Sequence, residues 1–457
     1  MDIFTQNTFI KKAISFLFIF LTFPSIGQWL NIHIGNTTIW WFIETTFLLL
    51  IYLFTFSYYF VEKFNWNKIR KKLITYFYLS TKNNNKKSIL RLLYLIKESK
   101  RNPVPNLHFP IPILIYICYI FFSIIHGCLK ATSYWDWKIL YNNSMIFLLP
   151  IIVIYFSVPS NLKKACHSWI SFAIVFFWLL LPIMQPECPA RFLFPFAFFI
   201  IFWPYFNKKG VIFCLIAVIC VFVFGSLGAR SSAIRFIASI GFSLFLLIKR
   251  YIPKILCISF STCIMAIPFI LLILGLSGQF NIFKIGEYID LDIKVTNSMV
   301  EGASENLSTD TRTFLYEETI SSAIEHDYYL LGNSLSQGYY SKAFAYADEN
   351  EGRGMRYSTE VGILNVFTYL GIIGVFLYFS IFVYSIANVY LHSNNKSLYV
   401  VALLLSFRWL FCFLEEFTYF DTNMVFLWVE ISMCNSPYFL RMNDTQFKLW
   451  AKNLLTN

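Results

Sequence analysis

The chain has 457 residues, of which 57% are hydrophobic and 14% charged, with a formal net charge of +12. A soluble domain carries about 25% charged residues, so this composition excludes a water-soluble globular protein. A mean hydropathy of +0.59 and recurring runs near the bilayer-spanning length point to an all-α polytopic membrane protein. Much of the positive charge lies in short loops between apolar runs, where Lys and Arg set topology, so it does not point to a nucleic-acid partner.

In chain order, spans are expected near 13–30, 39–61, 109–128, 140–158, 168–186, 192–206, 210–227, 231–248, 255–278, 360–391, 398–418 and 423–440. That makes about twelve transmembrane helices, with 192–206 and 210–227 the shortest. Lys11 and Lys12 precede the first run without a small-residue cleavage site, which reads as a retained helix. With the N-terminus inside, the loops "KNNNKK", "NLKK", "NKK" and "KRYIPK" and the C-terminal tail all fall in the cytoplasm, as the positive-inside rule requires. The basic loop 62–108 carries twelve Lys/Arg and two Glu. Within it, Ser88–Arg101 places Ile89, Leu92, Leu93 and Ile96 among basic residues, the pattern of a helix lying on an anionic leaflet. The three regions are then 1–278, with nine helices and the basic loop; 279–359, an outer loop; and 360–457, with three helices and the tail.

The outer loop reverses the sign, with six Lys/Arg against thirteen Asp/Glu. Ser308, Thr309 and Asp310 are capping residues for a helix with Tyr316, Ile320, Ala323 and Ile324 on one face. A turn at Gly332-Asn333 and a second short helix are expected to follow. A long loop with folded pieces of its own is more often functional than a linker.

Against this topology, several charges stand where positive residues are normally scarce. "GSLGARSSAIRF" puts Arg230 at the outer boundary and Arg235 about 7 Å deeper, diverging by roughly 140° around the helix. The surrounding small residues permit close backbone approach, Ser231 and Ser232 can cap the helix start, and guanidiniums there describe an anion cradle. Alternatively Arg230 snorkels, and Arg235 pairs with Glu44, Glu415 or Glu416; an unpaired Arg at mid-membrane costs about 2.5–3.5 kcal/mol. Asp136, Glu187, Arg191, Arg312, Arg353, Arg356 and Glu360 are further outer-face candidates, while Arg408 reads as one half of a structural ion pair. Tyr134, Trp135 and Trp137 fit either an interfacial belt or sugar stacking.

Other chemistries find little support. The chain has no GxxxxGK[ST], no HExxH and no CxxC, and its six His are scattered, so neither a nucleotide, a metal nor any other cofactor is expected. "DLD" (Asp290–Asp292) is a short match to metal-dependent nucleotide-sugar enzymes on the wrong side of the membrane. Most of the ten Cys lie in apolar runs, although Cys128 and Cys188 approach the same face and could pair.

Three ordered elements resemble the O-antigen polymerase and ligase superfamily, bacterial enzymes acting on lipid-linked saccharides. "GSLGARSSA" is similar to its Gly/Ser-Arg element, and "DTRTFLYEETISSAIEHDYYLLGNSLSQGY" to its Arg-led loop helix followed by Leu-Gly-x-Gly. "RYSTEVGILNVFTYLGIIGVFLYF" is similar to the loop exit. Ser358-Thr359-Glu360 stands where ligases carry His-Asn, which favours a polymerase over a ligase. The resemblance implies a GT-C-like helical fold in the bacterial inner membrane. It also implies a metal-independent glycosyl transfer from undecaprenyl-pyrophosphate-linked glycans at the periplasmic face. Its partners would be those lipid-linked substrates, the surrounding lipids, a chain-length regulator and a flippase. Arg230, Arg312 and Glu360 would then be catalytic, with Arg191, Arg235, Arg353 and Arg356 binding substrate. Glu360 would take the proton of the attacking hydroxyl, unless it serves only the dipole of the following helix. The alternatives are a ligase, or a flippase or other secondary transporter, which should show a polar midplane cavity and related halves.

Overall fold

The computed structural model describes residues 11–16, 18–19, 22, 46–60, 109–185, 188–224, 230–284, 294–296, 304–306, 312–341, 354–415 and 421–455. The expected first span, the basic loop with its Ser88–Arg101 helix, Glu44, Glu187, Asp290–Asp292, Ser308–Asp310, Arg353 and Glu416 lie outside these residues, wholly or nearly so.

The described chain is predominantly helical. Its elements are α1 (Thr46–Phe60), α2 (Ile111–Lys130), α3 (Tyr134–Phe147), α4 (Val153–Phe156), α5 (Pro159–Leu180), α6 (Cys188–Phe192), α7 (Pro195–Ile200) and α8 (Lys208–Phe224). There follow α9 (Arg230–Ile248), α10 (Lys254–Leu276), the short hairpin β1 (Lys294–Thr296) and β2 (Ser304–Asn306), and α11 (Thr313–Glu325). A second hairpin, β3 (Tyr339–Tyr340) and β4 (Met355–Arg356), precedes α12 (Gly362–His392), α13 (Tyr399–Cys412), α14 (Thr422–Asn435), α15 (Pro437–Arg441) and α16 (Asp444–Lys452). Six helices among the described residues are long and apolar enough to cross a membrane. Leu247, Ile255, Ile273 and Phe376 are among the many large apolar side chains left exposed on them, a surface suited to lipid rather than water.

Several expected spans differ in detail. The segment 192–206 is not one helix but the end of α6, α7 and a 3-10 turn at Trp203–Tyr205, because Pro195 and Pro204 each remove a backbone donor. The 140–158 span begins earlier, at Tyr134, where Ser133 and Asp136 form a capping box, and Pro150 lies in the 3-10 turn that links α3 to α4. Asp136 is therefore buried as a cap, not offered to a ligand. Ser231 and Ser232 lie inside α9 rather than capping it. Cys128 and Cys188 are both free thiols, one exposed and one buried, so the considered disulfide is absent.

The loop following α10 is built into the bundle, and α12 breaks to receive it. Gly371 adopts φ 64°, leaving the helical path. The amides of Ile372 and Ile373 donate to the carbonyls of Tyr329 and Leu330 at 2.9 and 3.3 Å. Asn333 donates to Thr368 O at 2.7 Å, and the Tyr119 hydroxyl to Leu370 O at 2.8 Å. Backbone groups freed by the break are thus met by protein, which an apolar setting demands. A Cβ at Gly371 would lie 2.2 Å from Leu330 O, and one at Gly332 2.4 Å from the Tyr369 carbonyl carbon. Both glycines are required by this contact. After the turn, the described chain forms the β3–β4 hairpin; no second helix appears among the described loop residues.

The long helices define two ends. Arg235 near the start of α9 reaches Glu415, just past the end of α13, whereas Lys249 at the finish of α9 reaches Ser397, just before α13. α9 and α13 are therefore antiparallel, and the loop helix α11 sits at the Arg235 end, where the Tyr316 hydroxyl donates to Phe413 O at 2.7 Å.

Candidate functional site

At the Arg235 end, residue Glu415 receives two arginines from distant parts of the chain. Arg312, the residue just before α11, donates from Nη2 to the Glu415 carboxylate at 2.7 Å. Arg235, on the second turn of α9, donates from Nη2 to the Glu415 backbone carbonyl at 3.0 Å. Glu360, just before α12, places a carboxylate oxygen 3.7 Å from the same Arg312 nitrogen. Arg312 and Glu415 are largely shielded, with 17% and 25% of their side chains exposed, whereas Glu360 is 48% exposed. The half-open side of the cluster is thus the Glu360 side.

The guanidinium of Arg235 is held between aromatic faces, 4.6 Å from the Phe411 ring centroid and 5.2 Å from that of Phe194. Arginine suits such a slot because its planar cation stacks while its edge still donates. Beside it is a cavity of about 20 Å³ lined by Arg235, Ser239, Arg408, Asn423 and Glu430 among others, enough for about one water molecule. Arg408 meets Glu430 at 3.4 Å and Asn423 O at 3.0 Å, the structural ion pair expected from its place inside an apolar run.

Asp421 adds a carboxylate that the sequence reading did not consider. It caps α14 by accepting from Met424 N at 2.7 Å. Burial pushes its pKa up to about 6, opposed by that hydrogen bond and by the charges of Arg235, Arg191 and Arg408. Arg191, in the last turn of α6, therefore belongs to the same electrostatic neighbourhood. An Asp directly before an apolar run is an ordinary helix-start signal, and "FDTNMVF" carries it.

The loop helix is held over this end by several contacts. Asn281 donates to the Thr313 hydroxyl at 2.9 Å, Ser341 to Glu318 at 2.7 Å, and the rings of Phe283 and Tyr316 lie 5.8 Å apart. Burial raises the Tyr316 phenol well above its ordinary value, keeping it a donor to Phe413 O. The buried face of α11 is Leu315, Thr319, Ser322 and Ala323. Ile320 and Ile324, expected on that face, are exposed, because α11 docks through hydroxyl and small side chains rather than through its isoleucines.

The structure thus gathers Arg235, Arg312, Glu360 and Arg191 from the outer-face candidates with Glu415, already a candidate partner of Arg235, and adds Asp421. Arg356 has separate neighbours, donating from Nε to Ser358 O at 3.1 Å and pairing across the hairpin with Tyr339. Arg230 begins α9, and its backbone alone is described. Chemically, the cluster is a set of guanidiniums crossed by internal carboxylates. Glu415 meets one nitrogen of the Arg312 guanidinium, as an external oxyanion would, so an anion of higher charge could compete for it. No family model, no curated protein and no solved structure matches this chain.

Proposed function

We propose that this chain is a polysaccharide polymerase, a metal-independent glycosyltransferase that joins undecaprenyl-pyrophosphate-linked repeat units. In this reading it has about twelve spans in a GT-C-like arrangement in the bacterial inner membrane, with its site at the periplasmic face. The orientation rests on the basic loops, and the family on the three ordered elements described above. The observation that carries the reading is the convergence of Arg312 and Arg235 on Glu415 beneath a docked loop helix.

The chemistry fits such a cluster. An acceptor hydroxyl attacks the anomeric carbon of the donor sugar, the bond from that carbon to the phosphate oxygen breaks, and the pyrophosphate departs with the bonding pair. Negative charge grows on the leaving oxygens, where fixed guanidiniums stabilise the transition state more than the ground state. Arg312 and Arg235 take that role, joined by Arg230 and Arg191. Glu360 accepts the hydroxyl proton in this reading, which its half-exposed carboxylate beside Arg312 supports. Arg356 and Arg353 contact the saccharide from the loop exit.

Deletion of the protein, followed by electrophoresis of the surface glycolipid, tests the reading. A polymerase leaves lipid carrying a single repeat. Complete absence of glycan would instead indicate a ligase or a flippase, and an unchanged ladder would refute all three.

A further inference from the structure

The opposite end of the molecule carries a second polar site. An open cleft of about 600 Å³ lies there between the end of α9 and the link from α12 to α13, lined by Lys249, Arg250, Asn394, Lys396, Tyr399 and Asp444 among others. Its charges do not cancel: three cations, Lys249, Arg250 and Lys396, face one carboxylate, Asp444. The carboxylate is already committed, since Asp444 accepts from Lys249 and from the Ser397 hydroxyl, the latter at 2.6 Å. Lys396 is positioned by the carbonyls of Lys249 and Ile252, at 3.4 and 3.1 Å, which leaves one of its three N–H groups for another acceptor. Arg250 is exposed and has no ion pair or side-chain hydrogen bond among the described residues.

The surroundings of the cleft favour one kind of anion. Immediately along α9 and α10, Leu244, Leu247, Ile248, Ile255 and Leu256 are exposed apolar side chains, and Tyr251 stands 82% exposed at the junction. A positively charged pocket at the end of an apolar lane matches a molecule with an oxyanion at one end and hydrocarbon at the other. Basic residues at this depth attract anionic headgroups, and a Tyr at the boundary suits the same interface.

We infer that this cleft binds the phosphodiester headgroup of an anionic phospholipid, with Arg250 and Lys396 on its oxygens and the acyl chains along α9 and α10. The site is independent of the arginine cluster and of the reaction assigned to it.

Native mass spectrometry of the full-length protein, with phosphatidylglycerol, phosphatidylcholine or inorganic phosphate added, decides the matter. Retention of phosphatidylglycerol at least tenfold above phosphatidylcholine is expected, with about a tenfold loss in Arg250→Glu. Lys209→Glu, an equal charge reversal on an exposed residue outside the cleft, should leave retention unchanged. Because Arg250 is exposed, its variant should melt with the wild type in phosphatidylcholine. Equal retention of the two lipids, or wild-type retention by Arg250→Glu, overturns the inference. Displacement of the lipid by millimolar inorganic phosphate would identify a free-phosphate site and overturn the lipid assignment.

Discussion

The two ends of the helical bundle use cations differently. At the loop end, guanidiniums are enclosed: Arg235 lies between two aromatic rings, and Arg312 is locked to Glu415 under α11. At the far end Lys249 is as shielded as Arg312, at 18% exposed, but its partner Asp444 is 46% exposed and the neighbouring Arg250 is open to its surroundings. The enclosed end can stabilise charge developing during a reaction; the open end can hold a charge already present on a lipid.

Removing one cation from each end tests that contrast most strongly. Arg312→Ala should reduce chain extension by roughly 10²–10³-fold, the usual effect of losing a transition-state charge donor, while the protein still accumulates in the membrane. Arg230→Ala should do likewise, and Arg250→Ala should leave extension near wild type; glycolipid ladders report all three. A full ladder from Arg312→Ala would erase the functional distinction between the ends.

The next largest effect is structural and confined to the loop end. Gly371→Ala forces a side chain into a left-handed position and onto Leu330 O, costing about 2–4 kcal/mol. Thermal denaturation in detergent should show this loss, with no counterpart for Gly241→Ala, whose added methyl meets open space. Glu415→Gln removes the charge opposite Arg312 and should raise hydrogen exchange across Thr313–Glu325 roughly tenfold, equivalent to about 1.4 kcal/mol. No change in exchange would mean that α11 is held by its hydroxyl contacts alone.

Acidity provides the finest comparison, because the two ends carry carboxylates shifted in opposite directions. Asp421 binds its proton more tightly folded than unfolded, so its ionisation lowers stability as pH rises from about 4 to about 6. At Asp444, burial alone would raise the pKa, but the bonds from Lys249 and Ser397 together hold it below the ordinary carboxylate value. Its contribution is therefore present above the unfolded value and lost as pH falls through the folded one. Lowering pH through 6 should also remove a negative charge near Arg235 and Arg191, strengthening binding of a lipid pyrophosphodiester roughly threefold. A titration by fluorescence or scintillation proximity should show this in the wild type and a flat response in Asp421→Asn.

Much of the helical framework was legible in the chain because long apolar runs bounded by Lys and Arg carry a local, one-dimensional signal. The loop helix was legible too, with Arg312 at its head. The Gly371 break was not, since "GIIG" reads equally well as an ordinary packing motif, and its cause is the carbonyls of Tyr329 and Leu330. The fragmentation of 192–206 could have been read from its prolines; its apolar content concealed it. At the site, Arg235 and Glu415 were possible partners, yet the pairing found uses the glutamate's backbone, while its carboxylate serves Arg312.

The amino-acid order by itself determined that this protein is built from apolar helices, where most of them lie, and which arginines interrupt the pattern. Those properties follow from hydrophobic runs and their flanks, which act over a few turns of chain. Tertiary structure alone decided that Arg235, Arg312, Glu360 and Glu415 meet, that Asp421 joins them, and that α12 opens at Gly371. Pairings across 180 and 103 residues depend on how helices pack and where a loop descends, and no local pattern encodes that distance.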